Sequence, residues 1–218
     1  MTTDPATDPT LPTLPGFDSA DLEAVRAEIS VAVAGGFTPP DLLEEQAIEA
    51  LEDCAPEGTD GSAVEDYAAR LIAGLLVGKV REEAGWPAVT DNDRLDGAFA
   101  LLEKQGIVAR QHWTCCSTCG FAEIGEALDE WEREHGRPAR GFTFFHAQDT
   151  DRAVVDGYLY LCYGAAEDAP TEAATLAVAA RVVDALRSAG LSVEWDGSVR
   201  TRIAVTAFDW KRRGVPAA

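Results

Sequence analysis

The chain has little basic charge, only one methionine, and no long apolar run. Its 218 residues carry 18 Lys and Arg against 38 Asp and Glu, a formal net charge of −20. That shortage of cations argues against binding a DNA or RNA backbone, which needs Lys and Arg to displace counterions. It argues equally against an anionic membrane surface. No apolar stretch approaches the ~20 residues that span a bilayer. No basic segment followed by an apolar run opens the chain, so no secretory signal is read. A cytoplasmic protein is the expectation. No phosphate-binding G-x-x-x-x-G-K-[ST], no strand-linked G-x-G-x-x-G and no serine nucleophile elbow is present.

What the sequence does have is crowded cysteine. Three of its five cysteines fall within five residues, in the run His112-Trp113-Thr114-Cys115-Cys116-Ser117-Thr118-Cys119-Gly120. In a reducing compartment such thiols serve packing, metal binding or redox chemistry rather than a disulfide framework.

Hydrophobic spacing gives the surroundings. Residues 1–17, rich in Thr, Pro and Asp, read as a disordered tail. Helical spacing then runs through residues 18–106. Leu22, Val25, Ile29 and Val33 share one face, and Gly35-Gly36 ends that helix. Pro39-Pro40 opens the next. The strongest stripe runs from Val64 through Leu71 and Leu75 to Val80. A fourth helix carries Leu95, Phe99 and Leu102 and stops at Gly106.

The period changes over residues 107–210. Ile107–Trp113, Gly141–His146 and Gly157–Tyr163 read as strands. Two helices lie among them, one with Phe121, Ile124, Leu128 and Trp131 inward, the other with Val183 and Leu186. A short irregular or helical turn is expected within Gln148–Val155. Alternating runs at Leu191–Trp195 and Thr201–Ala207, joined through Asp196-Gly197, predict an antiparallel pair. The class is α+β: N-terminal helices, then a mixed, mostly antiparallel sheet in β-α-β-β-α-β-β order with helices packed on one face. Whether residues 18–106 form one domain with 107–210 is left open by the sequence.

Three segments together resemble an uncharacterised bacterial family, a domain of unknown function. They are Thr114-Cys115-Cys116-Ser117-Thr118-Cys119-Gly120, then Phe145-His146-Ala147-Gln148-Asp149-Thr150, then Trp195-Asp196-Gly197. The resemblance covers roughly residues 93–205. It implies a shared fold and no activity.

Candidate chemistry centres on the thiols. Cys116 and Cys119 form a C-x-x-C that can chelate zinc or iron. Cys115, His112, His146 or Cys162 would have to complete the set, with zinc as the cofactor. The same C-x-x-C at a strand-to-helix corner fits a redox pair, because a helix N-terminus favours a thiolate. The third reading is three small side chains packed at a tight corner. Cys116 or Cys119 with His146, Gln148 and Asp149 would also suit nucleophilic catalysis. Against it stands a helix cap at Asp149 with a hydrogen-bonded His146. Whether the protein is an enzyme stays undecided. Two functions follow. One is a non-catalytic module that binds an unknown protein partner, with no nucleic acid and no membrane. The alternative is a metal-binding or redox-active thiol protein using Cys115, Cys116 and Cys119.

Overall fold

The computed structural model describes residues 11–167 and 169–214. By contact they divide into two compact units, residues 11–86 with 213–214, and Pro87–Arg212.

The first unit is helical. Helix α1 (Ser19–Gly35) starts where the Asp18 carboxylate accepts the Ala20 N–H at 2.7 Å, and ends at Gly36, whose φ of 75° costs a glycine nothing. Helix α2 (Pro40–Asp53) opens on proline, whose missing N–H has no partner to lose in a first turn. Helix α3 (Gly61–Glu83) is capped by Asp60. Val25, Ile29 and Val33, Leu43, Ala47 and Leu51, and Val64, Tyr67, Leu71 and Ile72 close one apolar core. The α3 stripe leaves that core towards its C-terminal end: Leu75 and Leu76 are half-buried and Val80 is exposed. The buried Lys79 ammonium there donates to the carbonyls of Val33 and Ala34, satisfying the last turn of α1. Of the expected tail, residues 1–10 lie outside the described residues. Leu14 is buried in the helical core, and Leu11 and Phe17 pack against it.

The second unit is an α+β sandwich. It begins with helix α4 (Asp91–Lys104), closed by a reciprocal cap between Thr90 and Asp93. The compact units therefore divide near Trp86, whereas the sequence period changes at Gly106. There follow β1 (Ile107–Arg110), α5 (Ser117–His135), β2 (Gly141–Phe144), α6 (Ala147–Asp156), β3 (Leu159–Ala165), α7 (Glu172–Ser188), β4 (Ser192–Glu194) and β5 (Ile203–Thr206). The sheet order is β1-β2-β3-β5-β4; β1 runs parallel to β2 and every other pairing is antiparallel. The expected terminal pair is present, with Val193 opposite Val205.

Helices cover both faces of the sheet, which corrects the expectation of one. Alternation along a strand separates the faces. Gly141 of β2 points to α7: a Cβ there would lie 2.5 Å from Val178. Its neighbours Phe142 and Phe144 point the other way, to a cluster with Val108, Cys162 and the α5 residues Ile124, Ala127 and Trp131. The cause lies in the strands themselves. β2 is buried along its whole length, so it needs cover on each side. At the outer edge of β1, Glu103 of α4 accepts the Ala109 N–H at 2.8 Å and pairs with Arg110 at 2.7 Å.

Candidate functional site

Two strand-to-helix corners lie side by side at one end of the parallel pair β1 and β2. Beyond Arg110 the chain continues alongside the end of β2. Phe145 N–H donates to Arg110 O, Trp113 N–H to Phe145 O at 2.8 Å, and Ala147 N–H to Thr114 O at 3.0 Å. This stretch was expected to be strand through Trp113. It leaves strand geometry because His112 and Thr114 adopt left-handed backbone, with φ of 50° and 59°. Non-glycine residues there carry strain on the order of 1 kcal/mol each, and surrounding bonds must hold them. His112 Nδ1 lies 2.9 Å from Thr150 Oγ1, and the Thr114 hydroxyl donates to Cys116 O at 3.1 Å.

The first corner carries the thiols. Cys116 is the N-cap residue of α5, and Cys119 sits in its first turn. Helix α5 lies hard against the sheet because position 120 has no side chain: a Cβ on Gly120 would meet the Phe144 ring at 2.5 Å. The sulfurs of Cys115, Cys116 and Cys119 all lie within 4.8 Å of one another. The Cys115 thiol donates to Cys119 Sγ at 3.4 Å. Cys115 is exposed and the other two are half-buried.

Their protonation is split by this crowding. Cys116 is held below the usual thiol range, first by the Cys119 backbone N–H and then by the thiols of Cys119 and Cys115. Cys119 is pushed up to about 11, because hydrogen bonding to Cys115 and then Cys116 favours its thiol form.

The second corner is closed. His146 is the N-cap of α6; its Nδ1 accepts the Asp149 N–H at 3.3 Å, and Asp149 accepts the His146 N–H at 3.3 Å. His146 Nε2 lies 3.0 Å from Asp149 Oδ2. The neutral ring thus carries its proton on Nε2 and keeps Nδ1 as an acceptor. Arg202 completes the arrangement by donating to Asp149 and, at 2.7 Å, to Tyr160 O. Burial lowers the His146 pKa and outweighs the raising effect of Asp149; Arg202 and Arg152 lower it further. Burial and then Arg212 do the same to His112.

The candidate residues thus separate. Cys115, Cys116 and Cys119 converge. His112 engages Thr150, and His146 engages Asp149; among the described residues neither imidazole joins the 4.8 Å sulfur group. Gln148 is exposed on α6. Cys162 is buried in the α5 cluster on β3, and its thiol is raised by burial. Cys54 ends α2, where its thiol donates to Ala50 O and Leu51 O. His135 stacks on Trp131 at 4.1 Å in the last turn of α5.

Arg202 is the residue that sequence reading missed. Its contact with Asp149 spans 53 residues, and no local pattern signals it. The loop before it is held by the third sequence segment. Trp195 Nε1 donates to Tyr163 Oη at 3.2 Å, and that hydroxyl donates towards Ser198 O and Thr201 O, both at 2.9 Å. Asp196 accepts from Ser198 N–H and the Thr201 hydroxyl. Ala147 N–H to Thr114 O thus ties the second segment to the start of the first, and Arg202, which follows the loop held by Trp195 and Asp196, reaches Asp149 of the second.

Among the described residues, no helix is long and apolar enough to cross a membrane. A family model described as "Domain of unknown function (DUF6891)" matches residues 18–214. No curated protein and no solved structure matches the chain. The match covers most of the sequence, and the chain belongs to that family of domains of unknown function.

Proposed function

From this membership and the thiol corner, we propose that the protein binds a soft metal ion, zinc first, through Cys115, Cys116 and Cys119. The observation that carries the reading is the convergence of three sulfurs within 4.8 Å. Tetrahedral zinc with Zn–S bonds of about 2.3 Å sets its sulfurs about 3.8 Å apart. The sulfurs here already stand at that scale, with Cys115 and Cys119 at 3.4 Å. Bound zinc would take the three sulfurs as thiolates and offset their charge.

Three protein ligands leave a fourth position for water or an outside ligand, the pattern of sites that exchange ligands rather than of closed structural sites. A cytosolic setting, where thiols stay reduced, suits the proposal. The test is elemental analysis of the full chain purified without chelator. About one zinc per chain is expected, lost on Cys116→Ser. A metal-free chain that also fails to take up zinc in a competition titration ends the reading.

A second reading is a non-catalytic module that docks another protein. Phe121 favours it: the ring is 50% exposed one turn from the thiols. Phe121→Ala should then weaken partner binding while leaving zinc content unchanged.

A further inference from the structure

The cluster holds an odd number of sulfurs, so any disulfide within it leaves a single thiolate. We propose that a hydroperoxide joins Cys115 to Cys119 and thereby expels the metal, so that the site holds metal only when reduced. This rests on the metal reading above.

The pairing follows from geometry. Cys115 Sγ and Cys119 Sγ are in hydrogen-bond contact at 3.4 Å, and a disulfide needs about 2.05 Å. Closing that gap asks for little more than about 1 Å of movement. Cys115 can supply it: the residue is exposed and precedes the first turn of α5. Cys119 is fixed in that turn, which Gly120 presses against Phe144. Cys116 is anchored differently. As N-cap its carbonyl accepts the Gly120 N–H at 2.9 Å, so its backbone is tied to the start of the helix.

The chemistry balances with a hydroperoxide as oxidant. The exposed Cys115 sulfur attacks the outer peroxide oxygen and the O–O bond breaks. The alkoxide that leaves takes a proton to become an alcohol. Cys119 sulfur then attacks the Cys115 sulfenic sulfur, the S–O bond breaks, and the hydroxide takes a second proton to become water. Two thiolates are oxidised to one disulfide while the peroxide is reduced to alcohol and water. The zinc ion is left with Cys116 alone and departs, because disulfide sulfurs carry no charge to hold it.

The experiment treats the zinc-loaded full chain with one equivalent of tert-butyl hydroperoxide. Zinc release is followed with a colorimetric chelator, and the bridge is mapped by peptide mass spectrometry. The expected result is a Cys115–Cys119 bridge formed in step with release of about one zinc per chain, with zinc taken up again after thiol reduction. Zinc retained in the bridged protein, or a bridge that includes Cys116, overturns the proposal. So does oxidation to sulfinic acid without a bridge in a chain that had bound zinc. Metal-free protein oxidised in parallel separates the two ideas: a Cys115–Cys119 bridge there, in a chain that takes no zinc when reduced, sinks the metal reading and the expulsion with it. Metal-free Cys116→Ser should still form the bridge, and its failure to do so refutes the assigned pairing.

Discussion

Two corners of the same sheet end, built from neighbouring parallel strands, use their polar residues in opposite ways. After β2, His146 and Asp149 cap one another and Arg202 neutralises the buried carboxylate. After β1, the cap position is a cysteine, and three thiols have chiefly one another as partners. The first set is used up in holding the fold. On the metal reading proposed above, the second set is left to hold a ligand rather than the fold. A cluster of reactive residue types therefore says little until the partners of each group are known.

The contrast breaks most sharply at Asp149. Replacing it with Ala removes the acceptor for the His146 N–H and strands Arg202 against a buried wall. A loss of about 3 kcal/mol is expected, at the low end for broken buried pairs because Arg202 keeps part of its side chain in water. Urea denaturation would measure it, and a loss below about 1 kcal/mol would show that the closed corner is not structural.

Gly120→Ala tests the thiol corner from beneath. The added methyl meets the Phe144 ring, so α5 must shift, at a cost of about 1–3 kcal/mol. Because that shift moves Cys119, zinc affinity should fall with stability. Unchanged zinc affinity in a destabilised variant would detach the site from the helix packing.

Acid should act on the closed corner through His146. Its folded pKa lies below the ordinary 6.5, so the unfolded chain binds the proton first. The stabilising contribution is complete above about pH 6.5 and declines as pH falls through the folded pKa. His112 adds in the same direction. His146→Asn, which can still cap α6, should flatten the decline in urea midpoints measured between pH 7 and 5. A decline of unchanged steepness would place the titrating group elsewhere.

The smallest effect sharpens the comparison most. In metal-free protein, Cys115→Ser and Cys116→Ser should leave the urea midpoint where it was, while zinc binding disappears. A large shift in the metal-free midpoint would mean that the thiols are packing groups after all.

Much of the architecture was legible because it depends on local period and punctuation. The α+β class, the fourth helix ending at Gly106 and the pairing of Val193 with Val205 came from alternation and glycine stops. Within Gln148–Val155 the sequence suggested only a short irregular or helical turn, where a full helix runs from Ala147 to Asp156. Phase was harder. Phe121 was expected inward, yet α5 buries Gly120, Ile124, Ala127 and Trp131 and leaves Phe121 exposed. A glycine gives no apolar signal, so a face built on Gly120 cannot be seen in a hydrophobic pattern. The sheet's second cover was missed for a related reason: Gly141 is a gap in the alternation, but it marks the place where Val178 of α7 comes close. The thiol cluster was legible because its members are adjacent in the chain. The Asp149–Arg202 contact was not, since it depends on the return of β5 beside β3.

The edge strand β1 carries a consequence for self-association. An uncovered strand edge is a template for the same strand of another molecule. Here the outward N–H of Ala109 is already taken by the Glu103 carboxylate, which also brings a charge and its Arg110 partner to that edge. An incoming strand would have to displace a charged acceptor and strip its water. Glu103, reaching over from the end of α4, thus keeps part of that edge from offering a free donor to a second strand, just before the chain leads into the thiols.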